Sequence, residues 1–88
     1  MNKPYLEVTY RQGKALAAYL YLNRRPGDKA AATRREGDLI VDYAPDGRPI
    51  GIEFTRIGAV DLSAVNRVLE TAHEATLSSN DLAPLTAA

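Results

Sequence analysis

The chain has 88 residues, of which 45% are apolar and 25% charged, and its formal charge at neutral pH is zero. This is the composition of an ordinary globular domain. Without cysteine and with one histidine, it cannot form disulfides, thiolate metal sites or a site with two imidazoles from one chain. We expect one domain over residues 1–77 and a mobile tail over 78–88, because the tail has few apolar anchors and a proline.

The chain carries neither an apolar run that could span a membrane nor a recognisable leader. The longest apolar run covers residues 15–22, well short of the roughly 20 residues that a bilayer requires. The first four residues lead directly into a strand-like segment, which predicts no signal peptide. We therefore expect a cytoplasmic protein that makes no membrane contact.

The two parts of the chain carry opposite charge. Residues 1–36 have a formal charge of +5 and residues 37–88 a charge of −5. Because both parts must fold onto each other in a small domain, this asymmetry favours internal charge pairing over a strong long-range field.

The first part of the chain predicts three strands. Tyr5–Tyr10 alternates and is rich in β-branched and aromatic residues, and residues 15–22 show a period of two that places Leu16 on the same face as Leu20. Residues 25–28 (Arg-Pro-Gly-Asp) have proline and glycine where a type II turn needs them. Residues 29–36 are predicted to form a polar edge strand, whose arginines discourage edge-to-edge aggregation.

A β-hairpin is predicted over residues 38–55, with Asp46-Gly47 in its turn. A loop of two or four residues places Val41 opposite Ile52, whereas a loop of three places Val41 opposite Gly51. Because a slip of one residue would turn the apolar side chains to the wrong face, we predict the Val41–Ile52 register.

A helix is predicted to follow, capped by Asp61 or Ser63 and extending to about Leu77. It has a mainly apolar stripe at helical spacing, formed by Leu62, Val65, Leu69, Ala72 and Thr76, with Val68 beside them. The fold class is therefore α+β, with a four- or five-stranded, mostly antiparallel sheet and one C-terminal helix packed on a face.

Residues 40–54 (IVDYAPDGRPIGIEF) resemble the signature of domain of unknown function 2283, a YuzE-like family of small bacterial proteins. With the tyrosine-bearing strands upstream, the resemblance covers about residues 5–55, although Ala44 and Pro49 depart from the family pattern. The resemblance implies the fold, and an antitoxin role is often suspected for the family, but it implies no catalytic residue. The matching motif positions are Asp42, Asp46, Gly47, Gly51, Ile52 and Glu53.

Three residues of this region and of the helix also suggest chemistry. Asp42 to Glu53 fits part of an EF-hand calcium loop, but Ala44 replaces a ligand and the flanks are strands. Asp42 and Glu53 are expected on one polar side of the sheet, where solvated carboxylates are the favoured interpretation over an acid/base pair. His73 is expected to be half-exposed on the helix, without the partners that a metal site needs. The sequence therefore predicts no catalytic residue, metal or cofactor.

A basic cluster beside two tyrosines is the best candidate for partner binding. We predict a non-catalytic protein-interaction module, with an antitoxin-like role as its narrower form, that uses this cluster or a sheet edge and self-associates as a dimer. A nucleic-acid-binding regulator using residues 24–35 is the alternative, and a small enzyme comes third. The candidate residues are Arg24, Arg25, Lys29, Arg34, Arg35, Tyr19 and Tyr21.

Overall fold

A five-stranded sheet forms where the sequence alternates between apolar and polar side chains, as seen in a computed structural model that describes residues 4–86. The strands are β1 (Tyr5–Arg11), β2 (Lys14–Tyr21), β3 (Ala32–Glu36), β4 (Leu39–Tyr43) and β5 (Pro49–Phe54). Helix α1 (Leu62–Thr71), a 3-10 turn (Ser79–Leu82) and the short helix α2 (Ala83–Thr86) follow. The strand order is β1-β2-β5-β4-β3, and all neighbours are antiparallel. The predicted α+β class is confirmed.

The core lies between one face of the sheet and α1. Leu20, Ile52 and Val41 lie opposite one another in adjacent strands and are at most 2% exposed. Val65 and Leu69 of α1 are fully buried in the same apolar cluster. Since side chains in a strand alternate between the two faces, the residues between these buried positions lie on the opposite face.

The β4–β5 hairpin has the predicted register but a different loop. Val41 lies opposite Ile52. The loop itself contains three residues, because Ala44 N–H donates to the Arg48 carbonyl at 2.8 Å. Opposite Asp42 and Tyr43 the register shifts: Asp42 lies opposite Gly51 and Tyr43 opposite Pro49, which leaves Ile50 as one extra residue in β5. This bulge compensates for the odd loop and restores the register that buries the apolar side chains.

The turn over residues 25–28 forms as predicted, but the apolar face of β2 is shorter than its pattern indicates. Asp28 N–H donates to the Arg25 carbonyl at 3.1 Å, with Gly27 at φ +84°, as a type II turn requires. The β1–β2 pairing contains a second irregularity next to Thr9. Leu16 is the unpaired extra residue of β2 at this irregularity and is 60% exposed, so its predicted place on the apolar face does not bury it.

Helix α1 begins as predicted and ends earlier than predicted. The Asp61 carboxylate accepts hydrogen bonds from the backbone N–H groups of Ser63 and Ala64, at 3.0 and 3.3 Å. At the other end, Glu74 N–H donates to the Leu69 carbonyl and His73 has φ +58°, which is a Schellman ending with a left-handed residue. The predicted extension to Leu77 is wrong because His73 reverses the chain, and the His73 side chain is exposed rather than half-exposed on a helix.

The segment after α1 returns to the core, where the sequence indicates few anchors. Leu82 is 2% exposed and Leu85 fully buried, both in the apolar cluster formed by the sheet and α1. Gly58 N–H donates to the Leu85 carbonyl at 2.7 Å. The side chain of Asn66 holds Leu77 by two hydrogen bonds, at 2.8 and 3.0 Å. Residues 77–85 are thus packed on the domain, whereas a mobile tail was expected from residue 78; residues 87–88 of that tail lie outside the described residues.

Candidate functional site

The sheet face opposite α1 is lined by two neighbouring rows of side chains, and we call these ten positions the open face. Each row crosses all five strands, and its members lie opposite one another in the pairing register. One row is Tyr5, Tyr21, Gly51, Asp42 and Thr33, and the other is Glu7, Tyr19, Glu53, Ile40 and Arg35. Because both rows alternate with the buried core residues, they point away from α1.

A tyrosine crosses the central strand of the open face to reach an aspartate. Tyr19 Oη, on β2, donates a 2.7 Å hydrogen bond to Asp42 Oδ2, on β4. Its ring lies directly over Gly51 of β5, where an added Cβ would collide with the phenol. Thr33 Oγ1 donates to the other Asp42 oxygen at 2.7 Å. The carboxylate of Asp42 therefore holds β2 and β3 to β4, and Gly51 leaves space for that link.

A small cluster of tyrosine rings lies next to the Tyr19–Asp42 hydrogen bond, and an arginine side chain packs against it. The rings of Tyr5 and Tyr21 stack with centroids 4.6 Å apart, and Tyr19 meets Tyr21 edge-on at 4.7 Å. Tyr21 Oη donates to Glu7 Oε1 at 3.2 Å. The guanidinium carbon of Arg24 lies 5.4 Å from the centre of the Tyr21 ring, within the range of a cation–π contact.

The environment of these phenols keeps them protonated. Burial raises the pKa of Tyr19 well above its ordinary value, and the hydrogen bond to Asp42 adds to the shift. The hydrogen bond to Glu7 raises the pKa of Tyr21. Both groups therefore remain neutral hydrogen-bond donors at physiological pH, which disfavours either of them as a phenolate base.

The structure divides the predicted basic cluster. Arg24 contacts the two tyrosines of the open face: its Nη2 lies 3.5 Å from Tyr19 Oη, and its guanidinium lies over the Tyr21 ring. Arg25 and Lys29 are exposed in the adjacent loop, and within residues 4–86 their side chains make no hydrogen bond or ion pair. We call Arg24, Arg25 and Lys29 the basic rim.

The other two predicted arginines lie on the edge strand β3 and face opposite sides. Arg34 lies opposite Val41, on the helix side of the sheet, with its guanidinium 5.3 Å from the centre of the Tyr43 ring. Arg35 lies opposite Ile40 and donates to the Gly37 carbonyl at 3.2 Å. These two arginines therefore do not form one surface with the basic rim.

The predicted motif residues take several separate structural positions. Asp46 and Gly47 form the hairpin turn, where Asp46 Oδ1 accepts from Arg48 N–H at 3.2 Å and Gly47 has φ +87°. Ile52 is fully buried, and Glu53 is exposed on the open face. Asp42 and Glu53 thus share the predicted polar side, but within residues 4–86 no group of three acidic or histidine side chains converges as metal ligands.

An ion pair that the sequence did not suggest fixes the loop beside the basic rim. Arg48 Nη2 donates to both oxygens of Asp28, at 3.0 and 3.2 Å, and the Asp28 side chain is only 10% exposed. These hydrogen bonds lower the pKa of Asp28. The two residues are 20 positions apart in separate loops, so no local spacing predicts their contact.

A second unexpected contact joins the end of β2 to the end of α1. Glu74 Oε2 accepts from the backbone N–H of Asn23 at 2.8 Å, although the helical pattern places Glu74 on the solvated side. The early end of α1 turns Glu74 inward. A cavity of about 500 Å³ lies at this junction, lined by Asn23, Arg24, Arg25, Arg48, Ala72, His73 and Glu74.

These features define a small α+β protein whose sheet is covered by a helix on one face and carries tyrosines and paired polar groups on the other. Residues 17–57 match the family model described as "Protein of unknown function (DUF2283)". The matched segment runs from β2 to just beyond β5 and includes the motif, which confirms the resemblance to this family of unknown function. No curated protein matches the chain, and no solved structure matches it. None of the helices within residues 4–86 has the length and apolar character to cross a membrane.

Proposed function

We propose that this protein is a non-catalytic protein-interaction module that binds a partner protein through the open face and the basic rim. The observation that carries the proposal is the ordered cluster of Tyr19, Tyr21 and Arg24 on the sheet face opposite α1. Tyrosine and arginine are, with tryptophan, the residues enriched at the energetic centres of protein interfaces.

The tyrosines of the open face are already ordered before a partner arrives. Tyr19 is fixed by Asp42 and Tyr21 by Glu7, while Tyr5 stacks on Tyr21. Side chains that are held in place lose little further conformational entropy on binding. Their rings therefore offer apolar area for a partner at a low entropic cost.

The basic rim favours a partner that presents carboxylates. A guanidinium has five N–H donors, and Arg24 uses one of them in a long 3.5 Å hydrogen bond to Tyr19. Arg25 and Lys29 add two exposed positive charges. A planar carboxylate fits the guanidinium fork of an arginine well, so an acidic segment of a partner protein complements this surface.

Acidic groups on the same surface favour a protein over a nucleic acid as the partner. Glu7 and Glu53 are exposed on the open face, where they would repel the continuous charge of a phosphate backbone, whereas a protein can place its carboxylates at the basic rim alone. The antitoxin role suspected for the family is the narrower form of this proposal, in which the acidic partner is a small toxin protein.

Affinity purification of the tagged protein from its host, followed by mass spectrometry, tests the proposal. We expect one small protein in near-equal amount with the unsubstituted chain, and its loss with the double variant Arg24→Glu/Arg25→Glu. Arg56→Glu, an exposed charge reversal beyond β5, is the matched control and should retain the partner. Circular dichroism checks that all variants are folded.

Two results would contradict the proposal. Retention of the partner by the Arg24→Glu/Arg25→Glu variant would exclude the basic rim as the site. Recovery of nucleic acid alone, released by salt, would instead support the regulator alternative, because phosphate contacts weaken steeply as salt rises.

A further inference from the structure

The exposed large apolar side chains within residues 4–86 all lie on one hairpin. They are Tyr5 at 59%, Tyr10 at 55% and Leu16 at 60% exposure, and all belong to β1 or β2. Strand β1 forms one edge of the sheet, so its outer backbone groups have no strand partner within the described chain. The apolar exposure is therefore concentrated at this edge.

The two edges of the sheet differ in how they are protected. The β3 edge is five residues long, fully exposed, and has Arg34, Arg35 and Glu36 in sequence. Charged residues in a short strand are a common protection against edge-to-edge pairing. The β1 edge is seven residues long (YLEVTYR), contains no proline, and carries only one acidic and one basic side chain. Only the β1 edge has the length and composition suited to pairing.

We propose that β1 pairs in an antiparallel manner with β1 of a second copy of this chain, about a twofold axis at Val8. All seven residues of β1 then have a partner. On the helix side, Leu6 of one copy lies opposite Tyr10 of the other, and Val8 lies opposite its own counterpart. On the side of the open face, Tyr5 lies opposite Arg11, and Glu7 lies opposite Thr9.

The self-complementarity of the strand selects this register. A twofold axis at Glu7 would place two carboxylates directly opposite each other, which is destabilising. An axis at Thr9 would leave Tyr5 and Leu6 opposite the turn, where no strand continues. The Val8 axis avoids both problems and groups Leu6, Val8 and Tyr10 of both copies into one apolar row.

The pairing also completes a core that the single chain leaves open. Leu6 and Val8 are only half-buried, although both pack against the apolar cluster. In the dimer, the same side chains and Tyr10 are covered by their counterparts, and two five-stranded sheets join into one. The open face and basic rim of each copy remain accessible, so this dimer is independent of the proposed partner binding.

The absence of cysteine allows a direct test by site-specific cross-linking. Val8→Cys places two thiols at directly opposed positions, where a disulfide is geometrically feasible. Under mild oxidation at low protein concentration we expect this variant to form a disulfide-linked dimer efficiently. Thr33→Cys, on the exposed β3 edge, is the matched control: its β1 strands still pair, but it should form no disulfide-linked dimer.

Light scattering with the full, unsubstituted chain provides the second measurement. We expect a mass twice that of one chain that falls on dilution, and a dissociation constant raised about tenfold or more by Tyr10→Lys. Tyr10 is exposed, so this variant should fold normally. A monomer at every concentration, equal cross-linking of the Val8→Cys and Thr33→Cys variants, or a dimer that Tyr10→Lys does not weaken would overturn the proposal.

Discussion

The hydroxyl of Tyr19 and the carboxylate of Asp42 form a 2.7 Å hydrogen bond across the full width of β5, the strand that separates theirs. The link is possible because the strand between them has Gly51 at the crossing point. The motif glycine and the motif aspartate thus belong to one structural unit with a tyrosine from another strand.

We expect Gly51→Ala to destabilise the protein because the new methyl group would collide with the Tyr19 phenol. Overpacking of this kind costs about 1–3 kcal/mol of unfolding free energy. Chemical denaturation gives the unfolding free energies of Gly51→Ala, Tyr19→Ala and the double variant, and thus the loss in each. Because Tyr19→Ala removes the colliding ring, the double variant should lose less than the sum of the single losses. Strict additivity would contradict the contact.

Alkaline pH should weaken the Tyr19–Asp42 link. The raised pKa of Tyr19 means that folding favours the neutral phenol, so its contribution is complete below the ordinary value of 10.0 and is lost as the pH rises through the folded value. At neutral pH we expect Tyr19→Phe to lose about 1 kcal/mol of unfolding free energy.

The difference between wild type and Tyr19→Phe should therefore shrink at high pH, as followed by denaturation. In an absorbance titration that follows tyrosine deprotonation, Tyr19→Phe should also lack the deprotonation step that the wild type shows at the highest pH. Tyr10→Phe, at an exposed position, is the control. Identical alkaline profiles for wild type and Tyr19→Phe would argue against the partly buried hydrogen bond to Asp42.

Acid should weaken the Asp28–Arg48 ion pair. Because the pKa of Asp28 is lowered by its hydrogen bonds to Arg48, its stabilising contribution is present above the ordinary value of 3.8 and is lost as the pH falls through the lower folded value. We expect Asp28→Asn to be less stable than wild type at neutral pH and to approach it at strongly acidic pH. Asp38→Asn, whose side chain makes no hydrogen bond within residues 4–86, should show no such convergence.

A glycine at the end of α1 should stabilise the protein. His73 has φ +58°, a left-handed conformation that costs a non-glycine residue about 1–2 kcal/mol. We expect His73→Gly to raise the unfolding free energy by about 1 kcal/mol. Ala72→Gly is the control, since Ala72 has φ −85° and glycine there should only destabilise. A loss of stability in His73→Gly would show that the side chain has a compensating role.

Truncation of Leu85 tests whether the segment after α1 packs on the core. Leu85 is fully buried in the main cluster, so Leu85→Ala should cost about 2–5 kcal/mol of unfolding free energy. Asn80→Ala, at an exposed position of the same segment, should cost far less. Equal stability of the two variants would support the mobile tail expected from the sequence.

Elements governed by local alternation could be predicted from the sequence. The pairing of Val41 with Ile52 follows from the need to bury the apolar side chains of β4 and of β5 on the same face, and it does not depend on the length of the loop. The cap at Asp61 follows from a carboxylate placed before a helical apolar pattern. In each case the responsible signal lies within a few residues of the structure it determines.

Features that depend on long-range contacts could not be predicted in this way. The end of α1 was missed because its left-handed residue is His73, whereas the usual signal is glycine. The anchoring of Leu85 depends on a core built by distant strands, so a short apolar segment beside a proline gave no indication of it. The division of Arg34 from Arg35 required the register of β3 on β4 to be known.

The bulge at Ile50, opposite Asp42 and Tyr43, allows the length of the hairpin loop to change without changing which residues of the two strands pair. A loop of three residues and a loop of four can both support the same buried pairs, provided that the bulge is present in the first and absent in the second. Deleting or inserting a single loop residue therefore need not exchange the inner and outer faces of β4. The turn of this hairpin is free to vary in length while the sheet that carries the tyrosines keeps its geometry.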